Sequence, residues 1–333
     1  MIKELLDKLL VSQDLSFEES HEMILWIMSE DAIAVKAAAM LALLQVKGIT
    51  IEEMAGAAQA MRERASFINA PKNSIDTCST GGNGISTFNI STCAAIIASA
   101  AGAVVAKHGN RSNTRKSGSA EALEALGVNL DLELSNVEKC LKDLKICFCY
   151  AINHHPAMRF VGPIRKDLGV PTIFNLLGPL TNPAGAKNQL IGVPNKELTL
   201  KIAKVLKRLG SNRVLVVNGQ DGLCELTVTS FTNISELKDG TIKDYIFDPK
   251  DFGYEYIKNE EIIGKDAEYN ARAFIELLDA PNNSFQKIVE INSGAAIYLA
   301  GISKSLKEGF ELAQKTILNK NAKNYFENMI KNQ

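Results

Sequence analysis

The chain lacks net charge of either sign. Its 37 Lys and Arg balance 38 Asp and Glu, leaving −1 over 333 residues, so no large field calls for a nucleic-acid partner. It has no apolar run of membrane-spanning length, and its start, MIKELLDKLL, reads as an amphipathic helix rather than a signal peptide. No Ser-His-Asp or Cys-His arrangement stands out, which excludes the common covalent hydrolases and favours chemistry driven by positioning and charge stabilisation. Six cysteines are present without the spacing of a secreted scaffold, as expected of a reduced, cytoplasmic protein. Repeats and low-complexity linkers are also absent. Hydrophobic residues at 46% and charged residues at 23% remain, the balance of a globular protein of one large or two ordinary domains.

Cys147-x-Cys149 followed by His154-His155 raises the question of zinc, since i and i+2 on a strand face the same way. No second cysteine pair follows at zinc-like spacing, and the flanks KICFCYA read as a buried strand. The expectation is cysteine as a small hydrophobe.

Residues 1–68 read as helices. Ser16-Phe17-Glu18-Glu19 and Thr50-Ile51-Glu52-Glu53 are capping boxes. Ala32 to Leu44 is apolar nearly all round, which predicts a helix buried on several sides in a bundle or a subunit interface, ended by Gly48. After Pro71 short β-branched strands are expected near Ile75–Cys78, Val104–Lys107, Lys145–Tyr150, Gln189–Val193 and Arg213–Asn218. Helical stretches separate them, the pattern of a largely parallel sheet covered by helices. Residues 154–183 read as short helices and loops that fold back on the N-terminal helices. Residues 225–258 read as antiparallel strands with a turn at Lys238-Asp239-Gly240, and helices resume near Asp266.

Two loops carry the chemistry. Ser79-Thr80-Gly81-Gly82-Asn83-Gly84 lets backbone N–H groups turn inward on an anion, and Asn89-Ile90-Ser91-Thr92 sits at a helix start, with unpaired N–H groups and partial positive charge. Lys107-His108-Gly109-Asn110-Arg111 follows a strand, at the edge where open α/β sheets bind ligands, with His108 there for geometry or packing. Two such cradles imply a ligand with phosphate at more than one place, a phosphorylated sugar or nucleotide. Ser91, Thr92, Ser117 and Ser119 read as helix caps that also suit phosphate. Arg159, Arg165 and Lys166 lie in an apolar region, where an arginine suits a planar carboxylate or a structural salt bridge equally. Asp221 and Glu225, after an apolar strand, are candidates for Mg²⁺.

These residues resemble the anthranilate phosphoribosyltransferase family of tryptophan biosynthesis over essentially the whole chain. The strings are TFNIST (87–92), KHGNR (107–111), KSGS (116–119), EALGVN (124–129), HPAMRFVGPIRKDLG (155–169), FNLLGPLTNPA (174–184), DPKDFG (248–253) and KDAEYNA (265–271). The resemblance implies an α/β fold of the nucleoside phosphorylase and phosphoribosyltransferase type. A small all-helical domain, 1–68 completed by inserted helices within about 154–185, joins a larger α/β domain, 69–333, with a mainly parallel central sheet. It implies a homodimer through the helical domains, Mg²⁺, and transfer of phosphoribose from 5-phosphoribosyl 1-diphosphate to the amine of anthranilate. Donor contacts would fall on Ser79, Gly82, Asn83, Thr87, Asn89, Ile90, Ser91, Thr92, Lys107, His108, Gly109, Asn110, Arg111, Ser112, Asn113, Thr114, Arg115 and Ser119. Ser79, Asn110 and Arg165 would hold anthranilate, and Ser91, Cys224 and Glu225 metal.

The chain departs from the family pattern at the donor site. The usual Gly-Thr-Gly-Gly-Asp is Ser79-Thr80-Gly81-Gly82-Asn83, an Asp-Glu metal pair is Cys224-Glu225, and a serine pair is Thr114-Arg115. These changes predict weaker metal binding, with Arg115 partly replacing metal charge and Asp221 a substitute for the lost aspartate. A same-fold paralogue with another acceptor, or a non-catalytic binder of phosphate-rich ligands, are the alternatives. Pyrimidine nucleoside phosphorylases fit the strings poorly.

Overall fold

The computed structural model describes every residue except Asn83, Gly84, Ser86, Asn113, Thr114, Arg115, Asn282 and Asn283, and only the backbone of Ser284. Four helices open the chain: α1 (Ile2–Leu10), α2 (Phe17–Ile27), α3 (Ala34–Lys47) and α4 (Ile51–Glu63). Both expected capping boxes form, Ser16 with Glu19 and Thr50 with Glu53. Glu53 is fully buried and also accepts from Leu15 N at 2.9 Å and Lys47 Nζ at 3.0 Å, tying α2, α3 and α4 at one point.

The remaining helical elements are α5 (Ile90–Ala100), α6 (Ser119–Ala125), α7 (Leu134–Leu144), α8 (Ala151–His154), α9 (Met158–Leu168), α10 (Phe174–Leu177), α11 (Glu197–Arg208), α12 (Ala267–Asp279), α13 (Ser284–Leu299), α14 (Leu306–Leu318) and α15 (Asn321–Asn332). Among them run β1 (Ile75–Ser79), β2 (Val105–Gly109), β3 (Ile146–Tyr150), β4 (Asn188–Gly192), β5 (Arg213–Gly219), β6 (Thr232–Lys238) and β7 (Thr241–Phe247). They form one sheet in the order β3-β2-β1-β4-β5-β6-β7. The first five are parallel and the last two antiparallel, so the mainly parallel sheet with an antiparallel edge is as expected. Asp239 and Gly240 both take positive φ, 50° and 72°, the backbone a two-residue hairpin requires.

Strand order reverses between β1 and β4, because the chain steps outward through β2 and β3 before returning to the far side of β1. In such sheets the crevice at the carboxyl ends of the two central strands is where ligands bind. One face of the sheet packs on α5 and α13. On the other, a single apolar cluster runs from α1–α4 through Val161, Ile164, Phe174 and Leu177 of α9 and α10 to Ile191, Val214 and Val216 of β4 and β5. Residues 154–183 thus fold back on the N-terminal helices.

The expectation that Ala32–Leu44 is buried on several sides fails for the single chain. Ala37, Met40, Leu41 and Leu44 face inward, but Val35 is 80% and Val46 86% exposed. A helix rich in Ala and Leu has no polar stripe to mark its outer face, so composition alone overstates its burial.

Candidate functional site

The loop after β1 is fixed by its glycines. Gly81 and Gly82 take φ of 67° and 86°, a region side chains rarely enter. Thr80 N donates to Gly192 O at 3.0 Å, so this loop leaves the sheet in contact with the end of β4. A Cβ on Gly192 would lie 1.6 Å from the carbonyl oxygen of Cys224; only glycine lets the 221–228 loop approach β4 so closely. The thiol of Cys224 in turn lies 3.9 Å from Gly81 O. The residues expected to hold donor and metal therefore meet at the switch point.

Beneath them Lys107 is 2% exposed. Its ammonium donates to the carbonyl of Thr77 on β1 and to Ser91 Oγ at 3.3 Å in the first turn of α5. Burial pushes its pKa below the ordinary lysine value, opposed chiefly by Asp76 and more weakly by Glu225. Asp76 is fully buried, and that burial raises its carboxyl pKa, with Lys107 opposing. Lys107 thus places a cation under the α5 N-terminus and joins β1, β2 and α5.

Serine and threonine do not serve as caps in the expected way. Asn89 is the N-cap of α5, without a side-chain cap bond, and Gly118 is the N-cap of α6. Ser91, Thr92 and Ser119 lie inside the first turns, and Ser117 Oγ donates to Asn89 Oδ1 at 3.0 Å. The hydroxyls of Thr87 and Thr92 are buried with no hydrogen-bond partner among the described residues.

Arg111 is already engaged. Its guanidinium makes a two-pronged contact with Glu124 at 2.8 and 2.6 Å and donates from Nε to Tyr150 OH at 2.9 Å, and these partners raise its pKa, Glu124 foremost. The pairing follows from Glu124 standing on α6 beside the end of β2. Asn110 is exposed, with Oδ1 accepting from Arg111 N. Ser79 ends β1, opposite Gly192. Ile90, His108, Gly109 and Ser112 lie in the same cradle walls, whereas Asn83, Asn113, Thr114 and Arg115 fall outside the described residues.

His108 packs, as expected. Its Nδ1 donates to Gly178 O at 3.1 Å, because a carbonyl only accepts, and its Nε2 lies 3.2 Å from His155 Nε2. Burial drives His108 down to about 3 and His155 to about 4. Asn182 Nδ2 and Gln189 Nε2 add bonds to Ala106 O and Pro179 O, at 2.8 and 2.7 Å. The segment carrying α9 and α10 is thereby latched to the sheet.

On α9, Arg165 is half-buried. Its Nη2 donates to Asn175 Oδ1 at 3.3 Å and its plane lies over Phe174 at 5.9 Å. No carboxylate pairs with it among the described residues, and burial alone lowers its pKa. Among the described residues Arg165 makes no structural salt bridge. Arg159 instead lies 4.0 Å from Glu30 on the surface.

The metal candidates divide by chemistry. Ser91 and Glu225 offer oxygens to a hard cation, and Glu225 is 7% exposed near Lys107. Cys224 offers a buried thiol, which suits soft metals. Asp221, the expected substitute for an aspartate at 224, is held within its own turn. Its Oδ1 accepts from Leu223 N at 3.0 Å and its Oδ2 from the hydroxyls of Thr227 and Thr229, which commits it to its own turn. Cys147 and Cys149 face one side of β3 with sulfurs 3.9 Å apart, both buried, and the described residues hold no group of three or more His, Cys, Asp or Glu suited to a metal.

Three contributors were not assigned a role from sequence. Glu121 accepts from Ser112 N at 3.2 Å and Gly118 N at 3.0 Å, gathering both ends of the second cradle; its Gly-x-x-Glu spacing from Gly118 was the available signal. Glu124 holds Arg111. Asn270 reaches Asn89 across 181 positions, a distance no local pattern reveals.

A helical bundle beside a mainly parallel α/β sheet is the two-part architecture that the matching glycosyl transferase family models describe. The family described as glycosyl transferase, helical bundle domain, matches residues 3–65, and its a/b domain matches 71–323. The anthranilate phosphoribosyltransferase of Laribacter hongkongensis is 45% identical over 314 residues, covering 94% of this chain and 92% of that protein. The enzyme of that name from Methanobrevibacter smithii is 42% identical over 330 residues, covering 99% and 98%. The crystal structure of anthranilate phosphoribosyltransferase from Thermus thermophilus superposes with a TM-score of 0.93 at 37% identity, covering 98% of each chain. The Saccharomyces cerevisiae enzyme, in complex with PRPP and Mg, superposes at 0.89 with 30% identity, covering 99% and 97%. The chain belongs to the anthranilate phosphoribosyltransferase family.

Proposed function

We infer that this chain transfers the 5-phosphoribosyl group of 5-phosphoribosyl 1-diphosphate to the amine of anthranilate, giving N-(5-phosphoribosyl)anthranilate and pyrophosphate, a step of tryptophan biosynthesis. The observation that carries it is Arg165, a half-buried guanidinium with no carboxylate partner among the described residues, on a helix latched to the strand that bears the second cradle. An aromatic carboxylate supplies what it lacks, through its fork of donors. Asn110, Ser79 and Arg165 would hold anthranilate. The two cradles would hold the donor, with the positive end of α5 and Lys107 beneath it favouring phosphate.

The amine nitrogen forms a bond to C1 of the ribose as the C1–O bond to pyrophosphate breaks, and the amine proton passes to water or pyrophosphate. The ring passes through an oxocarbenium-like centre, so stabilising the departing charge lowers the barrier. An aryl amine is nucleophilic without a general base, consistent with the absence of an evident one. Mg²⁺, when bound, supplies positive charge to the leaving pyrophosphate. Ser91 and Glu225 fit as its oxygen ligands, and few protein ligands suffice because this cation keeps water and phosphate oxygens.

The exposed face of α3, with Val35 and Val46 bare and Ala42 and Leu43 half-buried, supports a homodimer through the helical domains. Among the described residues no helix is long and apolar enough to cross a membrane, which is compatible with a cytoplasmic setting. The test follows anthranilate fluorescence on adding donor and Mg²⁺. We expect loss of signal, and Arg165→Ala to raise KM for anthranilate about 30- to 100-fold, the cost of about 2–3 kcal/mol for one charge-assisted fork. Absence of turnover with salt-dependent DNA binding would replace this reading with the non-catalytic one.

A further inference from the structure

Asn270, on α12, is 2% exposed and lies outside both cradles. Its Oδ1 accepts from Lys265 N at 3.0 Å and its Nδ2 donates to Asn89 Oδ1 at 2.8 Å. Asn89 Nδ2 then donates to Gly118 O at 3.1 Å. The polarity of this chain is not free. A backbone N–H at one end only donates and a carbonyl at the other only accepts, so both amides are fixed in one orientation. Ser117 Oγ, which donates to the same Asn89 Oδ1 at 3.0 Å, agrees with that direction. Around it, the 262–264 segment straps the first cradle: Thr87 bridges Ile263 and Phe88 N donates to Ile262 O at 3.2 Å. A Cβ on Gly264 would lie 2.4 Å from Thr87 O. The first cradle ends at Asn89 and the second ends at Gly118, so one amide relay holds both.

We propose that Asn270 is a positioning residue for the phosphoribosyl donor: it sets the Asn89 amide, which locks the exit of the first cradle to the exit of the second. This rests on the donor reading above. Asn270 itself touches no substrate. A buried amide held by two partners keeps its orientation without further cost, whereas a mismatched oxygen in the same place leaves a repulsive contact.

Asn270→Asp tests this with almost no change of shape. The new carboxylate still accepts from Lys265 N, but its second oxygen faces Asn89 Oδ1. Should the Asn89 amide rotate to donate, its oxygen then faces Gly118 O. While the carboxylate is ionised, one oxygen–oxygen contact separates the cradles either way; Asn270→Leu, which can neither donate nor accept, breaks the relay whatever the protonation state. We expect KM for 5-phosphoribosyl 1-diphosphate to rise about tenfold, the loss of roughly one buried hydrogen bond, with KM for anthranilate within about twofold of wild type, since Arg165 bonds to Asn175 and takes no part in the relay. Hydrogen–deuterium exchange without substrate should quicken in the peptides 87–93 and 116–122 and stay unchanged in α1–α4. Wild-type exchange in those two peptides overturns the proposal, as does a rise spread evenly over the chain. An unchanged donor KM in an active protein also overturns it. If wild type itself shows no turnover, the functional reading fails while the exchange comparison still decides the role of Asn270.

Discussion

A thiol at position 224 changes what the loop after β5 can offer a cation. It is buried against Gly81 and its backbone lies against Gly192, so the position is close-packed and addresses the first cradle directly. The resemblance leads one to expect an aspartate here, and Asp221 is bound into its own turn. Cys224→Asp is expected to behave conditionally. Without metal, an unpaired buried carboxylate should cost about 1–3 kcal/mol; with Mg²⁺ and pyrophosphate present, much of that loss should return. Thermal melts with EDTA and with Mg²⁺-pyrophosphate measure the difference, and a variant whose melting point ignores metal would show that position 224 does not face the cation. Residue types were legible at this scale wherever a motif spans a few positions, as with the capping boxes and Gly81-Gly82. Partners were not: that Arg111 faces Glu124, and that Arg165 faces no acid among the described residues, depends on chain segments brought together from elsewhere.

At the scale of elements, the joint between β2 and the 154–183 segment is built from neutral imidazoles. His108 on β2 and His155 before α9 share a hydrogen bond and are sealed from water, at about 3 and 4, where an unfolded chain would titrate near 6.5. Between about pH 6.5 and 4 the unfolded chain therefore binds more protons than the folded one. Stability is full above about pH 6.5 and falls as pH drops toward 4, by roughly 3 kcal/mol for His155 alone at about 1.36 kcal/mol per unit. Urea unfolding of wild type and His155→Gln across about pH 4.5–7.5 tests this window: the variant should show the shallower acid slope, and parallel slopes would remove the pair from the account. The five parallel strands were readable as short segments between helical stretches, and β5, with Val214-Leu215-Val216-Val217 buried on both faces, is the one whose composition records its burial. The joint was not readable, since a histidine's partner is set by how two distant elements meet.

For the whole molecule, the outer face of α3 is an apolar surface that the single chain leaves uncovered. Val35 and Val46 lie one above the other in register with Ala42, and a bare apolar stripe on a surface helix signals a partner. Val46→Lys combined with Val35→Lys should shift the protein from dimer to monomer in light scattering at micromolar concentration, with helical content retained. A wild-type protein that runs as a monomer would contradict the homodimer.

The sequence by itself determined the local grammar: where helices start, which runs are strands, which glycines turn, and through long shared strings which family the chain belongs to. Those properties depend on neighbours within a few residues, and the sequence contains them completely. Tertiary structure decided that the first cradle meets the 221–228 loop at the reversal of strand order beside Gly192, and that Asn270 fixes Asn89 from 181 positions away. Each of these is a contact between segments whose spacing carries no periodic signal, so only the folded chain could bring it into being.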